Sequence, residues 1–72
     1  MKKVKKIKIK INGRLLAINH DLSLLNFLKQ LKIPLKKVAI ELNQEIIDKN
    51  KLNKIKLKKN DKVEIVHFIG GG

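Results

Sequence analysis

Isoleucine and lysine alternate near the start of the chain, over residues 6–11. A period of two in the apolar residues is typical of a strand with one buried face. The next two residues, Asn12 and Gly13, favour a tight hairpin because both tolerate a positive φ. The alternation resumes over residues 16–18, which predicts a second, antiparallel strand that ends near residues 19–21.

The period of the apolar residues changes after Asp21. Four of them now recur at i, i+3, i+4 and i+7, which is the spacing of one helix face: Leu24, Phe27, Leu28 and Leu31. Either Ser23 or Asp21 is expected to cap the first turn. Pro34 prevents continuation and disfavours helical geometry in the residue before it. The pattern therefore predicts a helix over residues 24–32, with its leucine face in the core.

Alternation returns after the proline. Residues 38–42 predict a third strand, and residues 46–47 predict a short returning strand after a turn. Residues 48–54 are polar and predict a loop, whereas residues 55–57 predict a short strand or turn.

A turn signal at residues 60–61 precedes the last predicted strand, residues 63–69. The order of elements is a hairpin, a helix and then further strands. It predicts an α+β fold in which one helix packs across one sheet. We expect residues 1–69 to form a single domain and residues 70–72 to form a flexible tail.

Several classes of protein are excluded by what the sequence lacks. It contains no cysteine, which excludes disulfides, thiolate metal sites and thiol catalysis. Lysines interrupt the apolar residues of segment 1–10, so we expect no signal peptide, no membrane span and a cytoplasmic location. His20, His67 and the six carboxylates have no spacing typical of a metal site or an acid pair. We therefore expect no metal site and no catalytic residue.

The formal net charge is +12, from 18 basic and 6 acidic residues. Such a charge makes a small nucleic-acid-binding module an alternative hypothesis. Three observations argue against it: the lysines are spread from residue 2 to residue 62, Arg14 is the single arginine, and no aromatic residues interleave with the charges. A solvated lysine surface is the favoured interpretation.

The sequence given ends in three glycines, Gly70, Gly71 and Gly72, after the apolar strand. Glycine loses more conformational freedom on ordering than any other residue, so three in succession add nothing to a core. We expect them to form a flexible segment without side chains, which would fit a narrow channel of an enzyme. We therefore interpret the carboxylate of Gly72 as the functional group of the protein, the one that reacts.

Three segments carry a resemblance to a known family: SLLNFLKQL at residues 23–31, VAIELNQEII at 38–47 and NDKVEIVHFIGGG at 60–72. Together with the order of elements, they resemble the ubiquitin-like β-grasp family, and within it the ThiS-type sulfur carriers of thiamine biosynthesis. The resemblance covers nearly the whole chain and implies a mixed sheet of four to five strands. The small subunit of molybdopterin synthase has the same fold and ending and is the alternative within the family. The strongly basic charge departs from the neutral or acidic character common in such carriers.

The resemblance also implies a function and a set of partners. A ThiF-like enzyme would use ATP and Mg²⁺ to adenylate the carboxylate of Gly72, and a sulfur donor such as a cysteine desulfurase would supply the sulfur. The resulting thiocarboxylate would serve thiazole synthase (ThiG-like). The chain itself would bind no cofactor, would be a co-substrate rather than an enzyme, and would be a monomer when free.

Docking on these partners requires a surface near the tail. In the last predicted strand, Val66 and Phe68 share a face with Glu64, and a charged residue marks that face as the one turned to water. Val66, Phe68 and Ile69 are therefore the predicted docking residues. Burial of Phe68 in the core is an equally weighted alternative.

Overall fold

The computed structural model describes residues 5–68, which form one five-stranded mixed sheet and one α-helix. The elements in chain order are β1 (Lys6–Ile11), β2 (Arg14–Asn19), α1 (Leu24–Gln30), a short 3₁₀ helix (Leu35–Lys37), β3 (Val38–Leu42), β4 (Glu45–Ile46), a second 3₁₀ helix (Lys49–Lys54) and β5 (Lys62–His67). The strand order across the sheet is β2-β1-β5-β3-β4. Strands β1 and β5 are parallel, and the other neighbours are antiparallel. The predicted α+β architecture is confirmed.

The first hairpin forms as its sequence predicts. Asn12 has φ 48° and Gly13 has φ 84°, so both central residues have the positive φ that a type I′ turn requires. The turn places Ile11 opposite Arg14 and Ile9 opposite Leu16.

Helix α1 begins and ends at identifiable caps. The hydroxyl of Ser23 accepts a hydrogen bond from the Asn26 N–H at 3.1 Å, so Ser23 is the N-cap. Asp21 instead lies in the preceding turn with φ 67°. The helix ends at Gln30, two residues before the predicted end, because Lys32 adopts φ 59°.

The end of α1 is a Schellman motif. The N–H of Ile33 donates to the Leu28 carbonyl at 3.1 Å, and the N–H of Lys32 donates to the Lys29 carbonyl at 3.0 Å. These two bonds satisfy carbonyls that the last turn would otherwise leave without a partner. The helix therefore stops before Pro34 could interrupt it.

The loop predicted for residues 48–54 is wrong, because Lys49–Lys54 is a 3₁₀ helix. The Asp48 carboxylate accepts a hydrogen bond from the Asn50 N–H at 3.0 Å and caps its first turn. Leu52 is 1% exposed and packs into the core. A single leucine among polar residues carries no periodicity, and this is why the pattern of the sequence did not reveal the helix.

The core lies between the sheet and α1. Its buried members are Ile9, Ile18, Leu24, Phe27, Leu28, Val38, Ile40, Leu52, Leu57 and Val63. The prediction that the whole leucine face of the helix is buried is wrong at Leu31, which is 40% exposed. Leu31 is the C-cap residue, so it lies at the end of the helix, beyond the turns that pack on the sheet.

Candidate functional site at the end of the last strand

The strand that leads to the last described residue, Phe68, lies in the middle of the sheet. Strand β5 lies between β1 and β3, and its pairing with β3 continues to Val38 opposite His67. One residue further, the N–H of Phe68 donates to the Lys37 carbonyl at 3.0 Å. The path of the chain toward the tail is therefore held by backbone hydrogen bonds as far as Phe68. The predicted residues Ile69, Gly70, Gly71 and Gly72 lie outside the described residues, and their roles stay predictions.

Asn12 supports β5 at the point where β1 ends. Its backbone N–H donates to the Val63 carbonyl at 2.9 Å, and its side-chain oxygen accepts from the Ile65 N–H at 2.7 Å. The amide side chain thus continues the β1–β5 ladder beyond Ile11. Sequence analysis identified Asn12 only as a turn residue, because nothing local indicates a partner 53 positions away.

The two described members of the predicted docking set are exposed. Val66 is 48% exposed and Phe68 is 59% exposed, whereas Val63 in the same strand is 1% exposed. The alternative in which Phe68 belongs to the core is therefore wrong. The ammonium of Lys49 lies 5.4 Å from the centre of the Phe68 ring, within the range of a cation–π contact. We call Val66 and Phe68 the exit patch.

Two carboxylates lie beside the exit patch. Glu41 of β3 is directly opposite Glu64 of β5 in the antiparallel register. Like charges at directly opposite positions of a sheet destabilise the pair. The whole chain has six acidic residues and 18 basic ones. Two of the six acidic residues nevertheless face each other across the sheet, which is an unfavourable arrangement. The positions of Glu41 and Glu64 along the sequence do not predict this pairing.

The histidines are not brought together. His20 pairs with its neighbour Asp21, with 3.4 Å between Nδ1 and Oδ2, whereas His67 lies exposed in β5. Within residues 5–68, no group of three or more histidine and acidic side chains could hold a metal ion. In the same range no helix is both long and apolar enough to cross a membrane.

Lys8 and Lys10 of β1 lie on the face of the sheet away from α1. Lys8 and Lys10 border a shallow groove of about 220 Å³ together with Lys62. Among residues 5–68, the ion pairs are those that Asp21 makes with His20 and Lys56. Lys8, Lys10 and Lys62 are exposed and have no ion-pair partner in this part of the chain.

A mixed five-stranded sheet crossed by one helix, with its last strand in the centre, defines the ubiquitin-like β-grasp class. The comparisons with known proteins assign the chain within this class. The ThiS family model matches residues 9–72, and the chain belongs to the ThiS family.

Individual relatives agree with this assignment. The sulfur carrier protein ThiS of Bacillus subtilis is 34% identical over 65 residues, which are 89% of this chain and 98% of that protein. The crystal structure of the thiamine biosynthesis protein ThiS from Geobacter metallireducens has a TM-score of 0.82 and 28% identity, covering 92% of this chain and 100% of that one.

The chain is also similar to part of a larger protein. The thiazole synthase of Paramagnetospirillum magneticum is 36% identical over 66 residues, which are 92% of this chain and 20% of that protein. This chain therefore spans about a fifth of the length of the thiazole synthases that it matches.

Proposed function

We propose that this chain is a sulfur carrier of thiamine biosynthesis, and that it carries the sulfur as a thiocarboxylate on Gly72. The observation that carries the proposal is the match to the ThiS family, which extends through the three glycines to residue 72. The path of the chain supports it, because β5 and the hydrogen bond of Phe68 hold the chain in the sheet up to the last described residue. The molybdopterin alternative has the same chemistry and is less well supported, since the relatives named ThiS cover most of this chain.

The proposed chemistry begins with a carboxylate, which is a poor electrophile because its charge is delocalised. A ThiF-like enzyme with ATP and Mg²⁺ would convert it to an acyl-adenylate and release pyrophosphate. A persulfide formed by a cysteine desulfurase would then displace AMP, and a thiol would reduce the resulting acyl disulfide to the thiocarboxylate. This chain contributes an unhindered terminal carbonyl and acts as a co-substrate rather than as an enzyme.

Thiazole synthase is the proposed acceptor of the sulfur. Two proteins of that name contain a segment that is similar to more than nine-tenths of this chain. Joining two partners in one polypeptide raises their effective concentration for each other. The similarity therefore supports a functional pairing of a sulfur carrier with thiazole synthase.

The exit patch, with Ile69, is the proposed docking surface for the adenylating enzyme. Exposed apolar groups next to a reactive tail allow a partner to hold the domain while the tail enters its channel. The carboxylates of Glu41 and Glu64 lie beside the patch and favour a partner that presents arginine or lysine there. Such a partner would relieve the repulsion between the two carboxylates when it binds.

The experiment that tests this function is intact-mass measurement. The purified chain is incubated with a ThiF-like enzyme, ATP, Mg²⁺ and a persulfide donor, and its mass should rise by one oxygen-to-sulfur exchange. A variant with one alanine added after Gly72 should gain no mass, because its carboxylate carries a side chain next to it. Equal conversion of the extended variant would refute the assignment of Gly72.

A further inference from the structure

Among the described residues the sheet has two open edges, and the two edges differ in how well they are protected. Strand β4 forms one edge and is two residues long, so it offers little backbone for pairing. Strand β2 forms the other edge and is six residues long. Proteins commonly protect such an edge with lysine, proline or a bulge. Residues 15–19 contain neither charge nor proline, although a third of the whole chain is charged.

The register shows which backbone groups of β2 face outward. The N–H of His20 donates to the Lys5 carbonyl at 2.9 Å, so His20 belongs to a hydrogen-bonded pair of the β1–β2 ladder. Such pairs alternate along an antiparallel ladder. The even-numbered residues of β2 therefore bond to β1, and the N–H and C=O groups of Leu15, Ala17 and Asn19 point to the open edge.

A groove of mixed polar and apolar lining, with a volume of about 280 Å³, runs between this edge and α1. Its lining combines the apolar side chains of Leu16, Leu22, Phe27 and Leu31 with the polar residues Lys6, Asn19 and Gln30. Leu16 is 37% exposed and Leu31 is 40% exposed. Among residues 5–68, no further element covers β2 or the end of α1, and this leaves both leucines exposed.

We propose that an extended segment of a partner protein, with alternating apolar and acidic residues, adds to the edge of β2 as a sixth strand. Its backbone pairs with Leu15, Ala17 and Asn19. Every second side chain then enters the groove beside Leu16 and Leu31. This surface is separate from the exit patch, and the proposal does not depend on the function of Gly72.

The positive charge of β1 determines which side chains are favoured on the other face of the added segment. Lys8 and Lys10 of β1 stand on the face away from α1, where Lys8 is opposite Ala17 and Lys10 is opposite Leu15. An added strand would lie about 10 Å from β1, two strand spacings away. Long lysine side chains reach carboxylates at this distance, so acidic residues are favoured on that face. A second copy of this chain is disfavoured because each copy carries a net charge of +12.

The test uses amide hydrogen exchange of the whole chain, followed by NMR, with the peptide acetyl-Glu-Val-Glu-Ile-Glu-Val-Glu-amide. Saturating peptide should slow exchange at the amides of Leu15, Ala17 and Asn19 by at least about tenfold. The amides of Leu16 and Ile18 already face β1 and should change little. A peptide of the same composition in block order, acetyl-Val-Ile-Val-Glu-Glu-Glu-Glu-amide, is the control and should have no such effect.

Two matched variants distinguish the groove from general charge attraction. Leu16→Lys places an ammonium in the groove and should weaken binding at least about tenfold. Ile46→Lys adds the same charge at an exposed position of β4, on the other edge of the sheet, and should leave the affinity unchanged.

Three results would overturn the proposal. They are no protection at the three amides, equal protection by the block peptide, and protection that rises with protein concentration when peptide is absent. The last of these would assign the edge to a second copy of the chain.

Discussion

The side-chain oxygen of Asn12 accepts a hydrogen bond from the backbone N–H of Ile65 at 2.7 Å. Asn12 also has a positive φ, so one residue both turns the first hairpin and extends the central ladder. The bond fixes the part of β5 that leads to the exit patch. Asn12 therefore connects the first hairpin to the last strand, 53 positions further along the chain.

Replacing Asn12 by glycine separates these two roles. Asn12→Gly retains the positive φ but removes the acceptor, so the free energy of unfolding should fall by about 1 kcal/mol. Amide exchange at Ile65 should accelerate, as measured by NMR. Asn12→Asp keeps an acceptor and should preserve the slow exchange. Unchanged exchange at Ile65 in the glycine variant would show that the bond does not hold the strand.

Leu52 tests the element that sequence analysis missed. Its side chain is 1% exposed, and Leu52→Ala should lower the free energy of unfolding by about 2–5 kcal/mol. In a domain of this size that change could abolish folding, so urea unfolding is compared with that of Leu52→Met, which conserves most of the volume. Leu15→Ala is the exposed control and should change stability by about 0.5 kcal/mol or less. A similarly small effect at Leu52 would mean that the 3₁₀ helix is not part of the core.

Lys32 occupies a left-handed position that favours glycine. Its φ is 59°, which is unfavourable for a residue with a Cβ. Lys32→Gly should therefore raise the free energy of unfolding by about 0.5–1 kcal/mol in urea denaturation. Lys29→Gly, within the last turn of α1, should have the opposite sign. Destabilisation by both substitutions would contradict the role of φ in ending the helix.

Local patterns predicted the parts of the fold that depend on near neighbours. The alternating isoleucines of β1, the Asn12-Gly13 turn and the cap at Ser23 each follow from residues within a few positions. The helix end was misplaced by two residues because a lysine, not a glycine, takes the left-handed position.

The candidate site was predictable only in part. The alternation of β5 correctly placed Val66 on the exposed face. The facing pair of Glu41 and Glu64 depends on the β3–β5 register, which no local signal determines. The contact of Phe68 with Lys49 likewise requires the tertiary fold.

Phe68 should contribute to partner capture rather than to stability. Because its side chain is 59% exposed, Phe68→Ala should change the free energy of unfolding by about 0.5 kcal/mol or less. Binding to a ThiF-like enzyme, measured by calorimetry, should weaken by at least about tenfold if the ring fills a pocket of that enzyme. Leu15→Ala removes a similarly exposed side chain from the far edge of the sheet and is the control. Equal affinity of the two variants would remove Phe68 from the docking surface.

Glu64 should affect stability and docking in opposite directions. Glu64→Gln removes the repulsion with Glu41, so the free energy of unfolding should rise by about 0.2–1 kcal/mol in urea denaturation. The same change removes an attraction for a cationic partner, so association with a ThiF-like enzyme should become slower and less dependent on salt. Glu45→Gln makes the same change of charge on β4, where Glu45 is opposite Leu42 and therefore on the other face of the sheet from Glu41, and should alter neither quantity. A loss of stability in Glu64→Gln would mean that the lysines around the sheet already neutralise the two carboxylates, and that a partner is not needed to do so.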